Sequence, residues 1–194
     1  KTLIHSARLA HSLGQAHDYG VNVPTAEVDF AAVMERVQRV IAQVEPHDSV
    51  ERYTGLGVEC IQGQARFLSP WEVEVEGVQG KQRLSARHIV IATGARPTIP
   101  AIPGLCDLNY WTSDTIWNLR QRPSRLLVLG AGPIGCELSQ SFARLGSKVI
   151  LVDHGERLLR REDPEISQRL ARQLIQEGLE LRLSHRALEF GQQD

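Results

Sequence analysis

The segment GAGPIG has the residue types and spacing of a phosphate-binding turn, and it lies between a short apolar run and an amphipathic stretch. Gly130 permits a tight turn, Gly132 leaves room for a pyrophosphate, and Gly135 allows a helix to pack close to the preceding strand. The N-terminus of that helix offers unpaired N–H groups and a partial positive charge. The alternative is a glycine turn without a ligand. We predict dinucleotide binding by Gly130, Ala131, Gly132, Pro133, Ile134 and Gly135.

Asp153 follows a second apolar run, about 20 residues beyond Gly130. A carboxylate at this place accepts hydrogen bonds from the adenosine ribose hydroxyls. A 2′-phosphate would face it at roughly 5 Å, which costs about 3 kcal/mol per unit charge at an effective dielectric constant of about 20. The sequence therefore favours NAD over NADP. His154 is a further candidate cofactor contact, and the basic residues that follow it leave NADP open or form a solvated loop: Arg157, Arg160 and Arg161.

Hydrophobic periodicity predicts the elements that must position these residues. Asp29, Ser113 and Asp163 are the expected N-caps. Helices are predicted over residues 1–18, 29–45, 112–119, 134–145 and 163–177. Alternating or apolar runs predict strands over residues 58–61, 65–68, 71–75, 83–85, 88–93, 126–129, 149–152 and 179–183. The fold class is therefore α/β, with a Rossmann-type parallel sheet after residue 122 and an antiparallel meander before it.

The composition excludes several classes of protein. Hydrophobic residues make up 42% of the 194 residues, which is enough for a packed core. The 22 basic and 23 acidic residues are interspersed, so we expect no nucleic-acid partner and no membrane partner. The 3 cysteines lie far apart without metal-ligand spacing. This pattern predicts no metal site and a reducing, cytoplasmic compartment.

Several motifs together resemble one family, the pyridine nucleotide–disulfide oxidoreductases, which includes dihydrolipoamide dehydrogenase, glutathione reductase and mercuric reductase. The NAD(P)-binding domain of that family is closely similar to residues 126–165, LLVLGAGPIGCELSQSFARLGSKVILVDHGERLLRREDPE. Further segments resemble the family's first helix after its redox cysteines (KTLIHSARLAH), its FAD contacts (GQARF and HIVIATGARPTIP) and its crossover (WTSDTIWNL). The resemblance covers nearly the whole chain. It implies a partial FAD-binding domain at residues 1–121 and the first half of an NAD-binding Rossmann domain at 122–194.

The resemblance also implies roles for individual residues. Glu137 matches the glutamate beside the nicotinamide, and Lys1 matches the lysine that pairs with it beside the flavin; both are the candidate catalytic residues. Ala65, Thr93 and Gly94 match positions near FAD. Some relatives carry an aromatic lid where this chain has Pro133, so that gating role has no candidate here.

The function that the resemblance implies is part of a flavin-dependent NADH:disulfide oxidoreductase. Hydride passes from NADH to FAD, and electrons then pass to a redox disulfide and to a small-molecule or thiol/disulfide substrate. The given residues contain neither the Cys-x4-Cys pair nor the FAD glycine loop, so we expect them to be inactive alone. Two alternatives stay open: an NADPH-dependent enzyme similar to mercuric reductase, and a stand-alone dinucleotide-binding module. A strand at 126–129 with one open side predicts a homodimer.

Overall fold

The structure is a computed structural model that describes residues 1–24 and 27–191. Within those ranges the chain forms five α-helices and six strands, joined by 3-10 turns. The helices are α1 (Thr2–Gly14), α2 (Phe30–Val44), α3 (Val50–Gly55), α4 (Pro133–Arg144) and α5 (Pro164–Gln176). The strands are β1 (Gln64–Ser69), β2 (Glu72–Gly77), β3 (Gly80–Ser85), β4 (Arg125–Leu129), β5 (Lys148–Val152) and β6 (Glu180–Arg182).

The chain divides into two compact units. Unit 1 comprises the first 40 residues and the chain from Pro97 onward, and unit 2 comprises Ile41–Arg96. This division rests on contacts within the fold. The boundary between the partial FAD-binding domain at 1–121 and the NAD-binding domain at 122–194 stays a prediction.

Unit 1 contains a parallel sheet in which strands and helices alternate along the chain. The strand order is β4-β5-β6, with Val128 opposite Leu151 and Leu151 opposite Leu181. Parallel neighbours need a crossover, and α4 and α5 supply the two crossovers. The predicted Rossmann-type α/β fold is therefore confirmed, with β6 at the rim. Among the described residues β4 pairs with β5 alone.

The core of unit 1 lies where α4 meets the sheet and the two N-terminal helices. Phe142 on α4 and Leu151 on β5 are fully buried, and so is Met34 on α2. The rings of Phe30 and Phe142 are 5.9 Å apart at a tilt of 45°, a favourable aromatic arrangement. Burial of these large side chains is what holds α4 against β5.

Capping residues fix where the helices begin and end. The Asp29 carboxylate accepts the Ala32 N–H at 2.9 Å, and the Asp163 carboxylate accepts the Glu165 N–H at 2.8 Å. Both predicted N-caps are therefore confirmed. Gly146 follows α4 with φ at 97°, and its N–H donates to the Ala143 carbonyl at 2.9 Å. Glycine adopts this left-handed conformation without a steric penalty, so α4 ends there.

Unit 2 contains an antiparallel meander in the order β1-β2-β3. Phe67 on β1 lies opposite Val73, which lies opposite Leu84 on β3, so one face is apolar. Glu74 is buried on the other face, and its carboxylate accepts the Arg66 Nε–H at 2.8 Å. The hydrogen bond from Arg66 lowers the pKa of Glu74 against the opposing effect of burial, and Lys81 and Arg83 contribute further. The predicted antiparallel meander is confirmed.

Two predicted strands are absent from the described residues, and the predicted helices at 1–18 and 112–119 are shorter than expected, the first ending at Gly14. Residues 58–61 and 88–93 form no strand, and Val90 and Ile91 in the second segment are 86% and 71% exposed. A strand needs a neighbour to hydrogen-bond, and neither segment has one among the described residues. The predicted helix at 112–119 is only a 3-10 turn at Ile116–Asn118. The Ser113 side chain does not cap it.

Candidate functional site

The glycine turn between β4 and α4 has the geometry that close backbone approach requires. Gly130 has φ at 103°, and its N–H donates to the Val152 carbonyl at 2.8 Å. A Cβ on Gly135 would lie 1.9 Å from the Gly130 carbonyl oxygen, so only glycine fits there. Gly132 is the N-cap of α4, and no protein atom lies within 4 Å of the place where its Cβ would be.

The amides of this turn have the arrangement of a candidate anion-binding site. Within the described residues, the N–H groups of Gly132, Ile134 and Gly135 donate to no backbone acceptor. They lie at the N-terminus of a 12-residue helix, where the helix dipole adds a partial positive charge. Pro133 occupies the first helical position, where a missing N–H costs nothing. The residues present therefore fit a pyrophosphate, which needs several unpaired donors at one point.

Ala131, between the first two glycines, is hydrogen-bonded to three partners. Its N–H donates to the Asp153 carboxylate at 2.7 Å. Its carbonyl accepts the Leu159 N–H at 2.9 Å and the Cys136 S–H at 3.5 Å. The side chain is buried as well. The peptide groups of the turn are consequently fixed by the fold before any ligand is bound.

Cys136 is a hydrogen-bond donor in this arrangement. Burial, together with the negative charges of Asp153 and Glu137, raises the pKa of its thiol to about 11. The thiol therefore keeps its proton at neutral pH, and the proton is directed to the Ala131 carbonyl. Cys60, Cys106 and Cys136 are all free thiols.

Asp153 lies at the carboxyl end of β5 with both oxygens engaged. One oxygen accepts the Ala131 N–H at 2.7 Å and the other accepts the Gly155 N–H at 2.6 Å. Burial acts to raise the pKa of this carboxyl, but the two backbone hydrogen bonds, together with His154 and Arg160, outweigh it and lower the pKa. Asp153 is therefore a carboxylate at neutral pH, and its remaining lone pairs are available to ribose hydroxyls.

The loop after β5 is held by its own hydrogen bonds. The Arg157 guanidinium donates to the carbonyls of Arg160 and Glu162 at 2.8 and 3.0 Å. The buried Ser167 hydroxyl donates to the Leu158 carbonyl at 2.6 Å. Leu159 adopts φ at 46°, an uncommon conformation for a branched side chain, and this directs its N–H at Ala131. Arg157 is thus a structural residue of the loop.

A third contact to this site comes from the chain after β6, which the sequence did not indicate. The Ser184 N–H donates to the Gly155 carbonyl at 2.8 Å, and the His185 N–H donates to the Asp153 carbonyl at 3.0 Å. Ser184 has φ at 57°. The only signal available was the position of these residues just after an edge strand, because carboxyl ends of parallel strands meet at one edge of the sheet.

These residues line a cleft in unit 1 with a volume of about 1070 Å³. The cleft runs along β4 and past the glycine turn to the end of β5. Five of the six turn residues line it together with the ribose-binding candidates and the newly found residues: Gly130, Gly132, Pro133, Ile134, Gly135, Asp153, His154, His185 and Arg186. Ala131 lies beneath them. Apolar walls with a few convergent polar groups are typical of cofactor sites.

The structure does not bring the two candidate catalytic side chains into this cleft. Glu137 is exposed on α4, and its carbonyl accepts the Ser141 hydroxyl at 2.7 Å. Lys1 is exposed at the start of α1 and is the helix's N-cap position. Among the ion pairs of the described residues, none joins Lys1 to Glu137. Their roles stay predictions.

The candidate FAD contacts all lie in unit 2. Ala65 is on β1 opposite Val75, Thr93 is in the irregular segment at 88–93, and Gly94 has φ at 70°. All three are exposed. Unit 2 contains no glycine turn at a helix N-terminus, so it offers no fit to the FAD pyrophosphate.

The strand-turn-helix-strand arrangement with its terminal carboxylate defines a class, the dinucleotide-binding Rossmann proteins. The family model described as pyridine nucleotide-disulphide oxidoreductase matches residues 5–194. The chain belongs to that family.

Curated relatives carry several enzyme names. The chain is 35% identical to a mercuric reductase of Lysinibacillus sphaericus over 181 residues, which cover 93% of this chain and 32% of that protein. It is 34% identical to a soluble pyridine nucleotide transhydrogenase of Hahella chejuensis, with 92% and 40% covered. It is 30% identical to a dihydrolipoyl dehydrogenase of Bacillus subtilis, with 96% and 41% covered.

Solved structures agree with this assignment. The Cu(II) complex of the HOCl-induced flavoprotein disulfide reductase RclA from Escherichia coli matches with a TM-score of 0.75 and 26% identity. The match covers 100% of this chain and 40% of that chain. The chain thus spans between 32% and 41% of the length of these similar proteins. No helix in the described residues is long and apolar enough to cross a membrane.

Proposed function

We propose that this chain is the dinucleotide-binding portion of a flavin-dependent NADH:disulfide oxidoreductase. One observation carries the proposal: the unpaired amides of Gly132, Ile134 and Gly135 converge at the N-terminus of α4, beside the ionised Asp153. Membership of the family supports the wider reaction. Thr93, Gly94 and Ala65 are proposed to contact FAD in the complete enzyme.

The residues of this chain bind and orient the nucleotide. The amides of the turn hold the pyrophosphate, and the Asp153 carboxylate accepts hydrogen bonds from the ribose hydroxyls. His154 borders the same end of the cleft. Hydride is the chemistry that the reduced nicotinamide supplies when it is bound. Glu137 follows the turn by two positions, and its proposed place is beside the nicotinamide, paired with Lys1 near the flavin.

The electrostatics of Asp153 favour NADH over NADPH. Its lowered pKa keeps a negative charge at the ribose, where a 2′-phosphate would be repelled. His154 Nδ1 lies 3.7 Å from the carboxylate, and Arg160 borders Gly155, so both reduce this repulsion. The preference is therefore expected to be several-fold and not absolute.

The decisive experiment is a pair of glycine substitutions in the full protein. Gly132 has φ at −76° and no protein atom near its Cβ position, so Gly132→Ala should fold normally. The new methyl group enters the space that the pyrophosphate needs, and we expect NADH affinity to fall at least about tenfold. Gly55→Ala, which also meets no atom within 4 Å, is the matched control. Unchanged NADH affinity in a folded Gly132→Ala protein would contradict the proposal.

An NADPH-dependent enzyme similar to mercuric reductase is the second candidate. The names of several relatives and the exposed Arg160 favour it. NADPH affinity equal to or above NADH affinity would select this candidate. A stand-alone binding module is the third, and it predicts nucleotide binding without any flavin reduction in the full protein.

Three further features of the complete enzyme are proposals. A thiol or disulfide substrate and a homodimer both follow from membership of the family. Three unpaired cysteines are in keeping with a reducing cytoplasmic compartment.

A further inference from the structure

His185 lines the cleft beside Asp153 without a role in the function proposed above. The residue follows β6, and its N–H donates to the Asp153 carbonyl at 3.0 Å. The preceding residue, Ser184, is bonded to Gly155. The backbone of His185 is therefore fixed relative to the carboxylate that is proposed to hold the adenosine ribose. Its side chain is exposed to the cleft.

The geometry determines which nitrogen of the ring carries the proton. Nδ1 lies 2.6 Å from the Leu183 carbonyl oxygen. A carbonyl oxygen only accepts, so Nδ1 must be the donor, and Nε2 of the neutral ring presents a lone pair. The hydrogen bond to Leu183 thus fixes the tautomer of the neutral ring, and Nε2 of His185 is a hydrogen-bond acceptor.

The neighbours of His185 cannot provide the same acceptor. Arg186 is a donor only. Both Asp153 oxygens already accept backbone N–H groups, and their remaining lone pairs are proposed to bind ribose hydroxyls. His154 lies with Nδ1 3.7 Å from that carboxylate. Nε2 of His185 is therefore an uncommitted acceptor among the residues that line the cleft around Asp153.

We infer that His185 is a specificity-determining residue that selects adenine by accepting a hydrogen bond from its 6-amino group. The inference rests on the proposed dinucleotide function. Hypoxanthine carries an oxygen at the same place, and two acceptors would then face each other. Loss of one exposed neutral hydrogen bond reduces affinity by about three- to tenfold.

The test compares reduced NAD with its hypoxanthine analogue, reduced nicotinamide hypoxanthine dinucleotide, by fluorescence titration of the full protein. The unchanged protein should bind NADH about three- to tenfold tighter than the analogue. His185→Phe keeps a ring but removes the acceptor, so it should bind the two dinucleotides equally. His17 is an exposed histidine in the 3-10 turn that follows α1, and His17→Phe should keep the full preference for NADH over the hypoxanthine analogue.

The outcomes separate this inference from the function on which it rests. Tight NADH binding without discrimination by the unchanged protein overturns the role of His185 and leaves the proposed function standing. Full discrimination retained in His185→Phe also overturns it. Failure of the unchanged protein to bind either dinucleotide overturns both.

Discussion

Replacing Asp153 with alanine should damage stability and nucleotide selection together. The carboxylate is 9% exposed and accepts two backbone N–H groups, from Ala131 and Gly155. Alanine leaves both donors without their acceptor. Because these donors hold the glycine turn and the loop after β5, the substitution acts on the two segments that form the site.

The magnitude follows from the two bonds. A hydrogen bond to a charged group contributes about 1.5–3 kcal/mol, so two contribute about 3–6 kcal/mol. Removal of the buried charge also removes its desolvation penalty, which offsets part of this. We expect the free energy of unfolding to fall by about 2–4 kcal/mol, equivalent to a decrease in Tm of about 5–15 °C for a chain of this size.

Thermal unfolding without nucleotide, followed by circular dichroism, measures this effect. Asp163→Ala is the control, since its exposed carboxylate accepts one N–H at 2.8 Å as an N-cap and should lose only about 1 kcal/mol. The folded-state pKa of Asp153 lies below its ordinary value of 3.8. The contribution of the Asp153 carboxylate to the free energy of unfolding is therefore present above pH 3.8 and is lost as the pH falls through the folded-state pKa. Asp153→Ala should lose less stability on acidification.

Titration with NADH and NADPH gives the second readout. The unchanged protein should bind NADH at least several-fold tighter than NADPH, and Asp153→Ala should narrow that gap. If Asp153→Ala melts at the same temperature as Asp163→Ala and keeps the same nucleotide preference, the reasoning about this carboxylate is refuted.

Two further predictions concern the same turn. The pKa of Cys136 is about 11 in the folded protein against an ordinary 9.0. The contribution of the protonated thiol to the free energy of unfolding is therefore complete below pH 9.0 and is lost as the pH rises toward about 11. Urea unfolding should show a loss of about 2–3 kcal/mol over that interval, and Cys136→Ala should abolish this pH dependence. Gly135→Ala places a methyl group 1.9 Å from the Gly130 carbonyl oxygen and should lower stability by about 1–3 kcal/mol or more, measured as a lower Tm. A Gly135→Ala protein as stable as Gly132→Ala would contradict that geometry.

The sequence predicted those elements that carry their own periodicity and their own caps. Asp29 and Asp163 mark helix starts, and the apolar runs at β4 and β5 pair in parallel around the GAGPIG turn. The strand predicted at 88–93 fails for a physical reason. An apolar run becomes a strand only when a neighbouring strand is present; the described part of the chain supplies none for this segment, and Val90 remains 86% exposed.

The contacts that complete the site were beyond sequence reasoning. Leu159 and Ser184 both adopt positive φ, although neither is glycine, and nothing in their residue types indicates this. His185 reaches Asp153 through a backbone N–H, which every residue except proline possesses. Such contacts depend on how loops from different strands meet in space, and the hydrophobic periodicity of a sequence carries no information about that arrangement.

The three bonds to Ala131 have a thermodynamic and kinetic consequence. A turn that is already rigid loses little conformational entropy when a ligand arrives, so a larger share of the interaction energy is available as affinity. Association should proceed without a slow rearrangement, close to the rates of pre-organised partners. Differences in affinity among related nucleotides should then reside in their dissociation rates, and residence time is the quantity that selection on this turn would change.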